Sequence, residues 1–375
     1  MQRKQKDLPD ERRIKHQRVI AYLDAHALEA VLLSRRCSFS WYTCGAHNYV
    51  CHAADAGNSW LLVARDGAKV LTTNIEAARL RNEELADSGI EVLEHPYQDE
   101  GARNRLFAEA TAGLRVAADV NPPWMDLPAL GADFDRLRWT LTAGEIERYR
   151  ALGTDTALAV ESAARGVPRG ATEHQAAGVL AGELRSRGCV PWVLLVAGDD
   201  RVERFRHPLP TGRAIERCFM LVACAERGGL ISVCTRLACF GRLAAELARR
   251  HQAVVRVDAA MILATRPGAT LGAIYDEGRR AYAAVGFADE WRLHHQGGSC
   301  GYLPRDVIAG PDTPIEALAN QAFAWNPSIT GTKSEDTILC APDGPQLLRE
   351  PTDWPTISAE WEGASLDRPA ILERP

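Results

Sequence analysis

The sequence predicts an α/β (α+β) chain of two domains, a small α/β domain over residues 1–140 and a larger α+β domain over residues 141–375. Three observations support this prediction. Strand-like and helix-like segments alternate in the first third of the chain, which is typical of an α/β domain. A Pro-rich stretch, NPPWMDLPAL, ends that third. Helix pairs and apolar strands then follow in two successive rounds, with Gly-rich turns between strands.

In the first domain, apolar periodicity and turn residues define the elements. Asp66-Gly67 between two apolar runs is a strong β-hairpin signal. The predicted elements are helices over 10–27 and 76–87, and strands over 30–34, 60–65, 69–73, 90–94 and 115–119.

In the second domain, capping residues mark where helices begin. Thr142 with Glu145 forms a capping-box pattern, and Thr172 with His174-Gln175 begins another helix. Arg227-Gly228-Gly229 predicts the turn of a hairpin. The predicted elements are helices over 142–165, 172–187, 243–265 and 271–285, and strands over 191–196, 218–226, 230–237, 321–325 and 337–340.

Composition and charge exclude several classes of protein. The chain has 375 residues, 46% of them hydrophobic and 25% charged, which is ordinary for a globular protein. A net charge of −5 without a long run of one sign argues against nucleic-acid binding. The longest apolar runs are far shorter than the ~20 residues of a membrane helix. The charged N-terminal segment lacks the apolar core of a signal peptide, so we expect a cytoplasmic protein that binds no membrane.

The ten cysteines predict neither a zinc ribbon nor a disulfide framework. No CxxC pair occurs, and disulfides are rare in cytosolic chains of this size. Cys218, Cys224, Cys234 and Cys239 lie in apolar runs, where we expect them to pack as small hydrophobic residues. Whether Cys300 is reactive depends on a nearby cation or helix N-terminus, which sequence does not reveal.

Three segments carry a resemblance to a known family. They are RFRHPLPTGRAIERCFMLVACAERGGLISVCTR at 204–236, HHQGG at 294–298 and WNPSITGTKSEDT at 325–337. Together they resemble the pita-bread fold of the creatinase, aminopeptidase P and methionine aminopeptidase superfamily. The resemblance covers nearly the whole chain. It implies a creatinase-type N-terminal domain over 1–140 and a pita-bread (M24-like) catalytic domain over 141–375.

The resemblance also implies that a metal site has been lost. In the metal-dependent members, two Asp, one His and two Glu hold a pair of divalent ions. Here Val222 and Val233 stand at the two Asp positions and Asn326 stands at the first Glu position. His295 and Glu335 alone keep the ligand type. Since divalent ions need several oxygen or imidazole ligands, we expect no metal and no other cofactor.

The predicted catalytic residues are His207, His295 and Glu335. His207 matches the general acid/base of creatinase, and imidazole exchanges protons near neutral pH. Glu335 is expected to need a cation, because an unpaired buried carboxylate is costly, and Lys333 and Arg236 are its candidate partners. His294 is expected to pack on the opposite face if its segment is a strand.

Further polar residues near these motifs are predicted to bind the substrate. An amide both donates and accepts hydrogen bonds, and a guanidinium can clamp a carboxylate. For Trp325, a place in the core is the competing expectation. The predicted substrate-binding residues are Asn326, Arg204, Arg206, Thr235, Tyr302, Arg305, Trp325, Ser328 and Lys333.

These residues favour a metal-independent hydrolase, similar to creatinase, that cleaves a C–N bond in a small amino-acid-like or amidino substrate. Elimination or a related proton transfer needs the same acid/base and stays open. One alternative is a pseudo-peptidase that binds other proteins. Another is an Xaa-Pro aminopeptidase-like M24 metallopeptidase with unusual ligands. The resemblance also implies a homodimer.

Overall fold

The computed structural model describes residues 8–375. The chain forms two compact units. The first runs to Arg138 and includes Thr142–Gly144, and the second comprises Trp139–Leu141 and Glu145–Pro375. Part of the charged N-terminal segment that predicts a cytoplasmic location lies outside the described residues. Within residues 8–375, no helix is both long enough and apolar enough to cross a membrane.

The first unit is built on a five-stranded sheet in the order β4-β3-β2-β1-β5. Its elements are α1 Leu8–Ala25, β1 Ala30–Arg35, α2 Arg36–Tyr42, β2 Ala56–Ala64, β3 Gly67–Thr73, α3 Asn74–Arg79, β4 Glu91–His95, α4 Glu100–Ala110, β5 Val116–Ala118 and α5 Ala132–Asp135. The predicted hairpin joins β2 to β3, with Ala64 opposite Gly67. Helix α2 escapes prediction because it is buried on every side and so lacks an amphipathic pattern.

The second unit begins with two helices, of which α7 starts after Thr172 as predicted and carries a capping box formed by Thr172 and Gln175. Its helices are α6 Ala143–Gly166, α7 Glu173–Ser186, α8 Asp200–Arg204, α9 Ala245–Ala264 and α10 Leu271–Ala284. Its strands are β6 Val190–Gly198, β7 Cys218–Arg227, β8 Leu230–Phe240, β9 Gly297–Cys300, β10 Val307–Ile308, β11 Gln321–Trp325, β12 Ser328–Ile329, β13 Thr332–Lys333, β14 Asp336–Ala341, β15 Gly344–Leu347, β16 Thr356–Trp361, β17 Ala364–Pro369 and β18 Leu372–Arg374.

A nine-stranded sheet with the central order β10-β9-β11-β14-β8-β7-β6 is the frame of this unit. Its register sets the ends of several strands side by side. Trp325 of β11 lies opposite both Gly297 of β9 and Asp336 of β14. Asp336 in turn lies opposite Cys234 of β8. The residues just beyond these positions therefore converge on one region of the sheet.

Helices α9 and α10 pack against the sheet and form a large buried core in the second unit. Their apolar residues, among them Val254, Met261 and Ile274, join Phe323 and Trp325 of β11 in one buried cluster. Trp325 donates its indole N–H to Thr265 Oγ1 at 2.8 Å. Burial of side chains this large stabilises the fold by roughly 1.5–3 kcal/mol each.

One cysteine prediction is wrong. Cys218 and Cys239 are not separate small hydrophobic residues but form a disulfide. They face each other across β7 and β8, with their Cα atoms 4.0 Å apart. Cys224 and Cys234 are buried free thiols, as predicted. Sequence does not reveal the pair, because the exact hairpin register decides which cysteines meet.

A buried ion network lies behind β14. The carboxylate of Asp336 binds Arg236 and Arg368 at 3.0 Å each, and Arg349 approaches it at 3.4 Å. Although burial raises the pKa of Asp336, these guanidinium groups hold it well below its usual range. Arg236 also binds Glu161, so it is not the partner of Glu335 that the sequence suggested.

Replacing Asp336 by Asn should destabilise the fold by about 3–5 kcal/mol, because it leaves buried guanidinium groups without their counter-charge. Urea denaturation followed by tryptophan fluorescence measures the change. Glu246→Gln is the matched control, since Glu246 makes ion pairs on the exposed side of α9. The control should leave the unfolding midpoint nearly unchanged. Equal midpoints for Asp336→Asn and the wild-type protein would contradict this account.

His251 should make stability depend on pH. Its Nδ1 lies 2.6 Å from Thr332 Oγ1 and its Nε2 lies 2.9 Å from the Pro369 carbonyl oxygen. Burial lowers the pKa of His251 to about 4, below the ordinary value of about 6.5. The unfolded chain therefore binds more protons between these values, and stability is lost as the pH falls from 6.5 to 4.

The expected contribution of His251 to this loss is about 2–3 kcal/mol. His251→Gln should remove it, so the variant should lose less stability than the wild-type protein between pH 7 and pH 4.5. Other histidines titrate equally in both proteins and cancel in the comparison. Identical pH dependence of unfolding in the two proteins would refute the assignment to His251.

Candidate active site

Three imidazoles meet at the end of β9. The Nε2 atoms of His207 and His294 lie 3.1 Å apart, within hydrogen-bonding distance. The ring centroids of His207 and His295 are 5.6 Å apart, and those of His294 and His295 are 4.7 Å apart. We refer to His207, His294 and His295 as the histidine cluster. His207 is exposed, whereas His294 is buried.

Local structure holds two members of the cluster in place. His294 and His295 precede β9, and the Gly297 N–H donates to His295 Nδ1 at 3.3 Å. Gly297 has a φ of +97°, and a Cβ there would lie 2.2 Å from the Ala324 carbonyl oxygen. Glycine is therefore required for this close approach of β9 to β11.

His294 belongs to the cluster, which corrects the prediction that it packs on the opposite face. The strand β9 begins only at Gly297, so the alternation rule does not govern residues 294 and 295. Its Nδ1 also lies 3.5 Å from Ser328 Oγ, which is the limit of a hydrogen bond. The adjacent histidines before two glycines were the available sequence signal for this arrangement.

Glu335 lies beside the cluster and is fully engaged by internal partners. Its carboxylate binds Lys333 Nζ at 2.7 Å and Arg305 at 3.1 Å, and it accepts the Thr235 hydroxyl at 2.7 Å. The predicted pairing with Lys333 is confirmed. Two cations and one carboxylate leave one net positive charge at this point of the site.

Burial and the neighbouring charges set the protonation states. Burial and Lys333 lower the pKa of His207 and lower that of His294 to about 2. Burial and Arg305 lower the pKa of His295 to about 4. Burial would raise the pKa of Glu335, but Lys333 and Arg305 hold it below its ordinary value. At neutral pH the three imidazoles are therefore neutral and the carboxylate is ionised.

Two polar atoms in this region lack partners among the described residues. The Asn326 side-chain oxygen and the Arg305 Nε are buried without a hydrogen bond in this part of the chain. Asn326 itself is fixed by its backbone N–H, which donates to the Gln296 carbonyl oxygen at 3.1 Å. Buried polar atoms are almost always paired, so these two atoms are open hydrogen-bonding positions in this region.

Other predicted site residues have different surroundings. Arg204 is exposed and pairs with Asp200, while Arg206 binds Glu290. Tyr302 donates to Glu145 at 2.7 Å. Trp325 lies in the core, in line with the competing expectation for it.

Cys300 is not an activated nucleophile. Its thiol is buried, and burial raises its pKa to about 11. It lies 3.4 Å from the Tyr149 hydroxyl. At neutral pH the sulfur is therefore a protonated thiol, which is a poor nucleophile.

The donor set does not fit a pair of divalent metal ions. Val222 and Val233 offer no ligand atom, and Asn326 offers one uncharged oxygen. The one carboxylate at the ligand positions, that of Glu335, is already neutralised by Lys333 and Arg305. A different set, the three nitrogens of the histidine cluster, lies within 4.8 Å of one another.

The sequence and the structure of this chain are similar to those of known proteins. A model of metallopeptidase family M24 matches residues 147–342, more than half of the chain. Xaa-Pro dipeptidase from Bacillus anthracis has a similar structure, with a TM-score of 0.76 and 15% identity over 97% of this chain and 100% of that one. The prolidase from Pyrococcus horikoshii OT3 is also similar, with a TM-score of 0.74 and 18% sequence identity over 93% of this chain and 99% of that one.

The N-terminal domain of FACT complex subunit SPT16 from Cicer arietinum (chickpea) is also similar. Its TM-score is 0.64 at 11% identity, over 90% of this chain and 96% of that one. Among curated proteins, none matches the sequence significantly. Identities this low show a shared fold. The family match and the shared fold confirm the predicted fold class, and the chain belongs to metallopeptidase family M24.

Proposed function

We propose that this chain is a hydrolase that works without the paired metal ions of the metal-dependent members of the superfamily and uses its histidines for acid/base chemistry. The observation that carries the proposal is the state of Glu335. A carboxylate that already binds Lys333, Arg305 and Thr235 has little capacity left for a divalent ion. The valines at the two Asp positions support the same conclusion.

The histidine cluster supplies the proton chemistry. His207 is exposed to a substrate, and as a neutral imidazole it can accept a proton from water or from a substrate. The His294 Nε2 lies 3.1 Å from the His207 Nε2, and this contact can hold the His207 ring in place. In C–N bond hydrolysis, His207 would first activate the attacking water and then return the proton to the leaving nitrogen.

Lys333 and Arg305 supply the electrostatic part of the reaction. Negative charge develops on the carbonyl oxygen when water attacks an amide carbon. Preorganised cations in a site that excludes water stabilise such charge strongly. Both side chains are largely buried and held by Glu335, so they need little reorganisation during the reaction.

The charge balance favours an amino-acid-like substrate that carries a carboxylate. Glu335 is not available for a guanidinium group, which argues against the amidino class. The net positive charge and the unpaired Arg305 Nε instead suit an anion, and the Asn326 amide suits an amide or ammonium group. We still expect the protein to act on a small molecule, to form a homodimer and to be cytoplasmic.

Two substitutions should change carboxylate binding in opposite directions. Lys333→Met removes the excess positive charge, and Glu335→Gln increases it. The Kd for N-acyl amino acids should rise roughly tenfold in Lys333→Met and fall roughly tenfold in Glu335→Gln. Each change corresponds to about 1.4 kcal/mol of binding free energy. Thermal-shift titration measures the affinities, with the neutral methyl amides of the same compounds as the comparison.

Simple damage to the fold would weaken binding in both variants, so the opposite signs separate charge from structure. Tighter binding of carboxylate-free guanidino compounds than of N-acyl amino acids would overturn the proposed substrate class.

His207→Ala should lower kcat by about 10²–10⁴-fold on any substrate that the wild-type protein turns over, because the proton carrier is lost. A panel of N-acyl amino acids, dipeptides and amidino compounds identifies that substrate. His174→Ala is the matched control, since His174 is an exposed histidine on α7, and its turnover should equal that of the wild-type protein. Full turnover by His207→Ala would show that this mechanism is wrong.

A further inference from the structure

The histidine cluster has the composition of a single-ion metal site, which differs from the paired carboxylate site considered above. It shares only His295 with that site and contains no carboxylate. One nitrogen from each of its three rings lies within 4.8 Å of the others. The Nε2 atoms of His207 and His294 are 3.1 Å apart.

These nitrogen–nitrogen distances are close to those that tetrahedral coordination of a metal ion requires. Bonds of 2.0–2.1 Å from zinc to imidazole nitrogen place the ligand nitrogens about 3.3 Å from one another. The distance between His207 and His294 already matches this value. The other separations are at most 4.8 Å, so they must shorten by up to about 1.5 Å, and His207, whose side chain is exposed, is the member of the cluster best able to move.

The His294 backbone is held in place before any ion arrives. Gln296 donates to the His294 carbonyl oxygen at 2.6 Å and accepts from the Tyr282 hydroxyl at 3.0 Å. A ligand fixed in this way loses little conformational freedom on binding, which favours affinity. His295 accepts the Gly297 N–H at Nδ1, so its ring must give up this contact or change tautomer to coordinate an ion.

Three imidazoles select a particular class of ion. Zinc, copper, nickel and cobalt bind imidazole well, whereas magnesium, calcium and manganese prefer carboxylate, carbonyl and water oxygens. Three protein ligands also leave a fourth position open for water or an anion. Lys333 and Arg305 lie nearby and repel a cation, so an anion in that position would offset their charge.

We propose that the histidine cluster binds one late first-row transition-metal ion, of the zinc and copper class, and that this ion blocks acid/base chemistry. Coordination occupies the lone pair with which His207 would accept a proton. The binding part of this inference stands alone, whereas the blocking part rests on the proposed function.

Titration of chelator-treated full-length protein tests the binding part directly. With zinc in a calorimeter, we expect one equivalent to bind. With copper, we expect an electron paramagnetic resonance spectrum that shows nitrogen ligands. His207→Ala and His294→Gln should each weaken zinc binding at least tenfold. His207 is exposed, so its variant keeps the fold, and circular dichroism verifies folding of both variants.

Two controls exclude adventitious surface binding. His174→Ala removes another exposed histidine and Cys51→Ser removes an exposed free thiol, and both should bind zinc as the wild-type protein does. Three results would each overturn the single-ion site. The first is that zinc does not bind, and the second is that zinc binds His207→Ala as tightly as the wild-type protein. The third is that two equivalents of zinc bind and that Glu335→Gln abolishes this binding.

Turnover in the presence of zinc tests the blocking part. Zinc should inhibit the chelator-treated enzyme with a midpoint equal to the Kd from calorimetry. Activation by zinc would overturn the blocking role and leave the single-ion site standing. A chelator-treated protein that binds one zinc but turns over no substrate until two manganese ions are added would refute the proposed function and not the binding site.

Discussion

Two consecutive carboxylates at the start of β14 must both be neutralised inside the protein, and much of the second unit is arranged around that requirement. Glu335 and Asp336 are each almost fully buried. The two carboxylates bind separate sets of cations. Asp336 receives Arg236, Arg349 and Arg368, and Glu335 receives Lys333 and Arg305.

The choice of cations decides what chemistry the site can perform. In the metal-dependent members that the sequence resembles, a Glu at the position of Glu335 is one of the ligands of the paired divalent ions. Here the positive charge next to Glu335 comes from two side chains of the protein, Lys333 and Arg305. A fixed ammonium and guanidinium can hold an anion and stabilise developing negative charge, but they cannot lower the pKa of a bound water as a metal ion does. In the proposed mechanism, the proton transfers therefore fall to the imidazoles.

Local sequence patterns predicted most of the fold, because hairpin turns and helix caps are local features. Asp66-Gly67 and Arg227-Gly228-Gly229 both form turns between paired strands. Buried elements without amphipathic alternation were missed, such as α2. The Cys218–Cys239 disulfide was missed too, because it depends on the register of β7 against β8.

For the candidate site, the motifs predicted His207, His295 and Glu335 but not the contacts that these residues make. His294 was assigned to the opposite face because a strand was assumed to begin before Gly297. Arg305 lies thirty residues from Glu335 along the chain, and no local pattern links the two. Long-range pairings of this kind follow from the tertiary fold and are not written in any short segment.

The most direct test of the central claim combines elemental mass spectrometry with turnover of the same chelator-treated sample. We expect a protein that contains far less than one metal ion per chain to turn over its substrate, with no increase in rate on addition of manganese or cobalt. A protein that is inactive without metal, and that regains Xaa-Pro cleavage with two ions per chain, would contradict the account.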